Sequence, residues 1–187
     1  MDQGLAGVIA GAAGLVGAGI GGLATAYGAR IGAQKTIEAA QMQVQRQSEA
    51  EHSHWVRDQR RQVYSAIIDA HAAFVTSLNQ CRAQMTAGQA VPTELAERLL
   101  NDLTALIIVG AHPQLWGPGT IVDRAATLTS TAAQVFSTAQ RWPMLRTSGD
   151  QTAMDTYMTE FDAKCSELAQ ARTFFVGDAR ETLEKPD

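Results

Sequence analysis

Apolar residues recur along most of this chain at three- and four-residue steps, and the stripes they draw predict helices. From Val63 the series Val63, Ile67, His71, Phe74, Leu78, Cys81 and Met85 advances by 4, 4, 3, 4, 3 and 4, which puts all seven on one helix face. Tyr64, Ile68 and Val75 widen the stripe to the breadth of a packed helix. Gly88 and Pro92 then mark a turn. Thr93 stands as the expected cap of a second helix, whose face is Leu95, Leu99, Leu103, Leu106 and Ile107. Gly110 ends it, and His112-Pro113 through Gly117-Pro118-Gly119 reads as a loop. A third helix from Thr120 carries Ile121, Ala125, Leu128, Ala132, Val135, Ala139 and Trp142, and Pro143 is expected to stop it. After Ser148-Gly149, Asp150 is a good N-cap for a last helix striped with Met154, Met158, Phe161, Cys165, Leu168, Phe175 and Ala179 and interrupted by Arg172. No segment shows the two-residue period of a strand. The expectation is an all-α fold, an antiparallel four-helix bundle with short connections.

Upstream of Val63 the pattern changes. Between Thr36 and Gln62 there is neither proline nor glycine, and Ile37, Val44 and Trp55 are among the few large apolar residues in a run rich in Gln, Glu and Arg. This stretch reads as a polar helical stalk, exposed or loosely coiled with copies of itself, continuous with the helix on either side.

The opening segment differs again. From Gln3 to Ala29 there is no charged residue, a length above the roughly 20 residues an α-helix needs to cross a bilayer. Leu5, Val8, Ile9, Leu15, Val16, Ile20 and Leu23 supply its hydrophobicity, and glycine and alanine fill the rest. A secretory signal would begin with basic residues and hold a shorter apolar core. In water so much glycine disfavours a helix, whereas in a membrane glycine lets helices approach closely. The segment is therefore expected to be a transmembrane helix. Only Asp2 precedes it, while Arg30 and Lys35 follow, so the N-terminus is expected outside and the bundle in the cytoplasm. Gly7 and Gly11, Gly17 and Gly21, and the row Gly14, Ala18, Gly22 have the small-xxx-small spacing of self-associating spans. A segment this rich in glycine also produces such pairs by composition alone, so self-association and coincidence stand side by side.

Composition narrows the chemistry. A net charge of −4 argues against nucleic-acid binding, which calls for a basic face. Cys81 and Cys165 lie far apart with no metal-type spacing, and each reads as a small buried hydrophobe. Glu49-x-x-His52 overlaps Glu51-x-x-His54, but di-iron bundles take such motifs from two different helices. Both copies here lie on one polar stretch, so no metal is expected. His71, alone on an apolar face, reads as a core histidine rather than a catalytic base. The glycine-rich start lacks the Gly-Lys-Ser/Thr ending of a phosphate-binding loop. Trp55, Arg57, Arg60, Arg61 and Tyr64 form the one cluster that could face a protein partner, although pairing along the helix, such as Asp58 with Arg61, accounts for its charge better.

The stretch Trp55-Val56-Arg57-Asp58-Gln59-Arg60-Arg61-Gln62-Val63-Tyr64, with Gly117-Pro118 before a helix and the closing Phe174-Phe175 to Ala179-Arg180, resembles a loose group of uncharacterised actinobacterial single-pass membrane-anchored helical proteins. The resemblance implies bacterial origin and membrane anchoring, and it transfers no activity and no site residue. The sequence thus predicts a transmembrane segment over 1–32, a stalk over 33–62 and a bundle over 63–185. The function expected is that of a non-enzymatic, membrane-anchored interaction or scaffold protein without cofactor, its partners being the bilayer, further copies of itself and an unidentified protein. The alternative is a small membrane-perturbing protein, holin- or effector-like, whose glycine-zipper spans assemble into a pore.

Overall fold

The computed structural model describes the backbone of residues 3–184 and the side chains of residues 30 and 32–184 other than 116. Among the described residues six helices follow one another: α1 (Gln3–Thr86), α2 (Thr93–Gly110), α3 (Pro113–Trp116), α4 (Gly119–Ala139), α5 (Trp142–Ser148) and α6 (Gln151–Glu184). The fold is all-α, with no strand among the described residues. The chain divides into two compact units, Met1–His52 and Ser53–Asp187.

In the first unit every described side chain is exposed. Gln45 Nε2 donates to Glu49 Oε1 at 3.1 Å and Gln47 Nε2 to Glu51 Oε1 at 2.9 Å, the one-turn pairs that support a helix having no core of its own. Among the described residues no helix is long and apolar enough to cross a membrane. The expected span and its glycines Gly7, Gly11, Gly14, Gly17, Gly21 and Gly22 lie outside the residues whose side chains are described.

The second unit holds the core. Six members of the α1 stripe, from Ile67 to Met85, are buried, and Tyr64 joins them. They pack with Leu99, Leu103 and Leu106 of α2, the whole expected α4 stripe from Ile121 to Ala139, and Tyr157, Phe161, Leu168, Ala171, Phe175 and Ala179 of α6. Polar contacts set the register. Ser77 Oγ donates to Asp102 Oδ2 at 2.6 Å, joining α1 to α2. Between α1 and α6, Tyr64 stands edge-on to Phe175 at 6.1 Å and Arg82 meets Asp162 at 2.9 Å. Between α4 and α6, Arg124 Nε meets Asp178 Oδ2 at 2.7 Å and Tyr157 donates to the Thr138 carbonyl at 2.9 Å.

The turns follow local chemistry. α1 closes with Gly88 at φ +67. Gly88 N–H donates to Met85 O and Gln89 N–H to Gln84 O, both at 2.9 Å, the paired bonds of a Schellman ending that only glycine makes without strain. Asp150 caps α6 through Oδ1, which accepts from Ala153 N–H at 3.0 Å.

Four local expectations need correction, the first being Ile107, which the apolar stripe places on the packed face of α2 and which is 47% exposed. Thr93 does not cap α2: Pro92 occupies the cap position and no side chain bonds there. The loop after Gly110 contains α3, which begins at Pro113. Pro143 does not simply end a helix, because α4 stops at Ala139 and Trp142-Pro143 starts α5. In both short helices proline occupies the first turn, where its missing N–H has no bond to lose and its fixed φ suits the helix. Trp142 is buried as the stripe requires, but as the first residue of α5, its Nε1 donating to the Gln89 carbonyl at 2.8 Å.

Candidate functional site

The cluster around Trp55 does not share one helix face. Trp55 is 47% exposed, Arg61 is exposed, Arg57 and Arg60 are half-buried, and Tyr64 is 2% exposed against Phe175. The reason is helical geometry: at about 100° per residue, nine positions turn Trp55 about 180° away from Tyr64. Arg57 and Arg60 stand on the same side as Tyr64 and Ile67, at steps of 3, 4 and 3, where the apolar stripe fades toward its N-terminal end.

Chemistry gathers elsewhere, in a groove of about 540 Å³ between α1 and α6. Its apolar lining includes Ala72, Val75, Leu78, Leu168 and Ala169, and its polar lining His71, Asn79, Arg82, Cys165, Arg172 and Thr173. His71 is 4% exposed, and its Nε2 has no hydrogen-bond partner among the described residues. Burial pulls its pKa down to about 4, helped by the positive charge of Arg172, so the imidazole is neutral at pH 7. Arg82 is spoken for: Nε lies 2.9 Å from Asp162 Oδ1 and Nη2 donates to Oδ2 at 3.1 Å. Arg172 is exposed and enters no ion pair or hydrogen bond among the described residues. The Cys165 thiol is pushed up to about 11 by burial first and Asp162 second, with Arg82 opposing. It therefore stays protonated at neutral pH, the opposite of an activated nucleophile.

A second groove of about 520 Å³ opens where α1, α2, α4 and α5 meet, lined by Cys81, Met85, Leu99, Leu100, Phe136, Ala139 and Pro143 among others. It is mainly apolar, with Thr93, Glu97 and Gln140 also in its lining, and the Cys81 thiol there is raised by burial. Among the described residues no group of three or more His, Cys, Asp or Glu side chains could hold a metal.

The sequence held both members of the α1–α6 groove separately, His71 as a histidine on an apolar stripe and Arg172 as a charge breaking one. Their meeting depends on the α1–α6 register. The only signal for it was that both stripes are interrupted by a residue bearing nitrogen donors. No protein-family model, curated protein or solved structure matches this chain.

Proposed function

We propose that this chain is a non-enzymatic, membrane-anchored interaction protein whose helical unit acts as a scaffold in the cytoplasm. Its charge-free opening segment serves as a single transmembrane anchor with the N-terminus outside, as Arg30 and Lys35 on its inner flank favour. The second unit acts as an antiparallel four-helix bundle of α1, α2, α4 and α6, with α3 and α5 as short connectors. The pairings of Tyr64 with Phe175 and Arg82 with Asp162 support opposed directions for α1 and α6.

One observation carries the interaction reading. From residue 32 to residue 52 every side chain is exposed, including Ile37, Met42 and Val44. A helix without tertiary packing is marginal in water, so such a segment gains stability by association. Ile37, Gln41, Val44 and Ser48 recur at steps of 4, 3 and 4, the seam along which a second copy would pack.

Two measurements on the full chain test this. After centrifugation of a detergent-free lysate the protein is expected in the membrane pellet and is expected to stay there on alkaline wash; recovery in the supernatant overturns the anchor. In isolated membranes, Val44→Cys is expected to give an oxidised dimer on a non-reducing gel, while Gln43→Cys, off the seam, gives much less. Equal yields from both positions sink the seam.

A further inference from the structure

We propose that the groove between α1 and α6 is a binding site for a small, singly charged organic carboxylate with an apolar body. The carboxylate would be held by the Arg172 guanidinium and by Nε2–H of His71. The argument begins with a cost. A buried polar nitrogen without a partner is destabilising by about 1–3 kcal/mol; His71 Nε2 is such an atom, itself closed to solvent, in a residue that lines an accessible groove. In its Nε2–H tautomer a neutral imidazole donates one hydrogen bond, which a carboxylate oxygen accepts.

Charge fixes the class of ligand. The groove lining contains two guanidinium groups, Arg82 and Arg172. Asp162 already neutralises Arg82, leaving one uncompensated positive charge at Arg172. A carboxylate matches that charge and the planar fork of arginine. A phosphate dianion would bring a second negative charge toward Asp162 and leave it uncompensated. The rest of the lining favours an apolar body: Ala72, Val75, Leu78, Leu168 and Ala169 supply apolar surface, beside the polar Asn79 and Thr173. The groove volume of about 540 Å³ lies within the usual range for small-molecule sites.

The test uses the full chain with sodium octanoate as probe, octyltrimethylammonium as the same tail with opposite charge, and inorganic phosphate as an anion without a tail. Octanoate at about ten times its dissociation constant is expected to raise Tm by about 3 °C and to move the ¹⁵N resonance of His71 Nε2. Arg172→Gln, a change at an exposed position, is expected to leave the fold intact and to weaken octanoate by about tenfold or more. The proposal is overturned if octanoate leaves the His71 signal unmoved or binds Arg172→Gln as well as the wild type. It is equally overturned if the cationic tail or phosphate binds as tightly as octanoate.

Discussion

At the scale of single residues, His71 makes stability depend on pH. Its folded pKa is about 4 against an ordinary 6.5, through burial first and Arg172 second. Below pH 6.5 the unfolded chain takes up a proton that the folded chain refuses, so acid favours unfolding. The contribution is fully present above 6.5 and is lost as pH falls toward 4. Between pH 6.5 and pH 5 the expected loss is about 2 kcal/mol, in a window above most carboxylate titration. Urea unfolding at pH 7 and pH 5 checks it: the wild type should weaken by that amount and His71→Leu should lose most of the slope. Equal slopes in the two proteins would show that the buried imidazole is not the source. A second residue-scale expectation concerns Tyr157, which stacks on Phe161 at 6.1 Å, meets the tilted ring of Trp142 at 5.7 Å and donates to the Thr138 carbonyl. Tyr157→Phe keeps the ring and removes that bond, leaving the Thr138 carbonyl with the Arg141 N–H at 3.1 Å, and should cost about 0.5–1.5 kcal/mol in urea midpoint analysis.

At the scale of elements, two helical glycines that look alike in sequence should respond oppositely to alanine. Gly110, the last residue of α2, sits so close to α4 that an added Cβ would run into the Thr129 methyl. Thr129 is not free to turn away without loss, since its Oγ1 donates to Ala125 O and to Ala126 O at 3.0 Å. Gly177 lies within α6 with nothing near its absent Cβ. Gly110→Ala is expected to destabilise by about 1–3 kcal/mol through overpacking, and Gly177→Ala to stabilise by about 0.5–1 kcal/mol through helix propensity. Thermal unfolding of the two variants reads both signs. This pair also marks how far the sequence reaches. The buried stripes of α1 and α4 follow from three- and four-residue steps because each depends on one helix alone. The ends of α1 and α6 follow from Gly88 and Asp150, whose signals are equally local. The helices α3 and α5 did not follow, because a proline ends one hydrogen-bond ladder and suits the first turn of the next, and the residues before it do not distinguish the two roles. Tyr64 belongs by sequence both to the apolar stripe and to the cluster around Trp55, and its register with Ile67 turns it inward with the stripe. Arg172 with His71, and Gly110 with Thr129, required knowing which faces of different helices meet, and no periodicity within one helix carries that.

At the scale of the whole molecule, the two units differ in what holds them together. The second unit shares one apolar core across α1, α2, α4 and α6, so its central amides open only with the loss of that core. The described side chains of the first unit, residues 30 and 32–52, include one-turn pairs, and none of them is buried. Pairs of that kind contribute about 0.2–0.5 kcal/mol each, too little to protect amides in a helix that must otherwise stand by itself. Under the proposed pairing of two copies, protection there rises with concentration by mass action. Hydrogen exchange of the full chain at two concentrations, about twentyfold apart, separates the cases. Peptides spanning residues 33–52 should exchange fast in the dilute sample and measurably slower in the concentrated one, while peptides from α4 should be strongly protected in both. Fast exchange of 33–52 at both concentrations would remove the seam of Ile37, Gln41, Val44 and Ser48 as an interface. Slow exchange at both would mean that something other than reversible pairing protects this helix. The α4 peptides fix the scale in either case, since their burial lies within one chain and does not change with dilution.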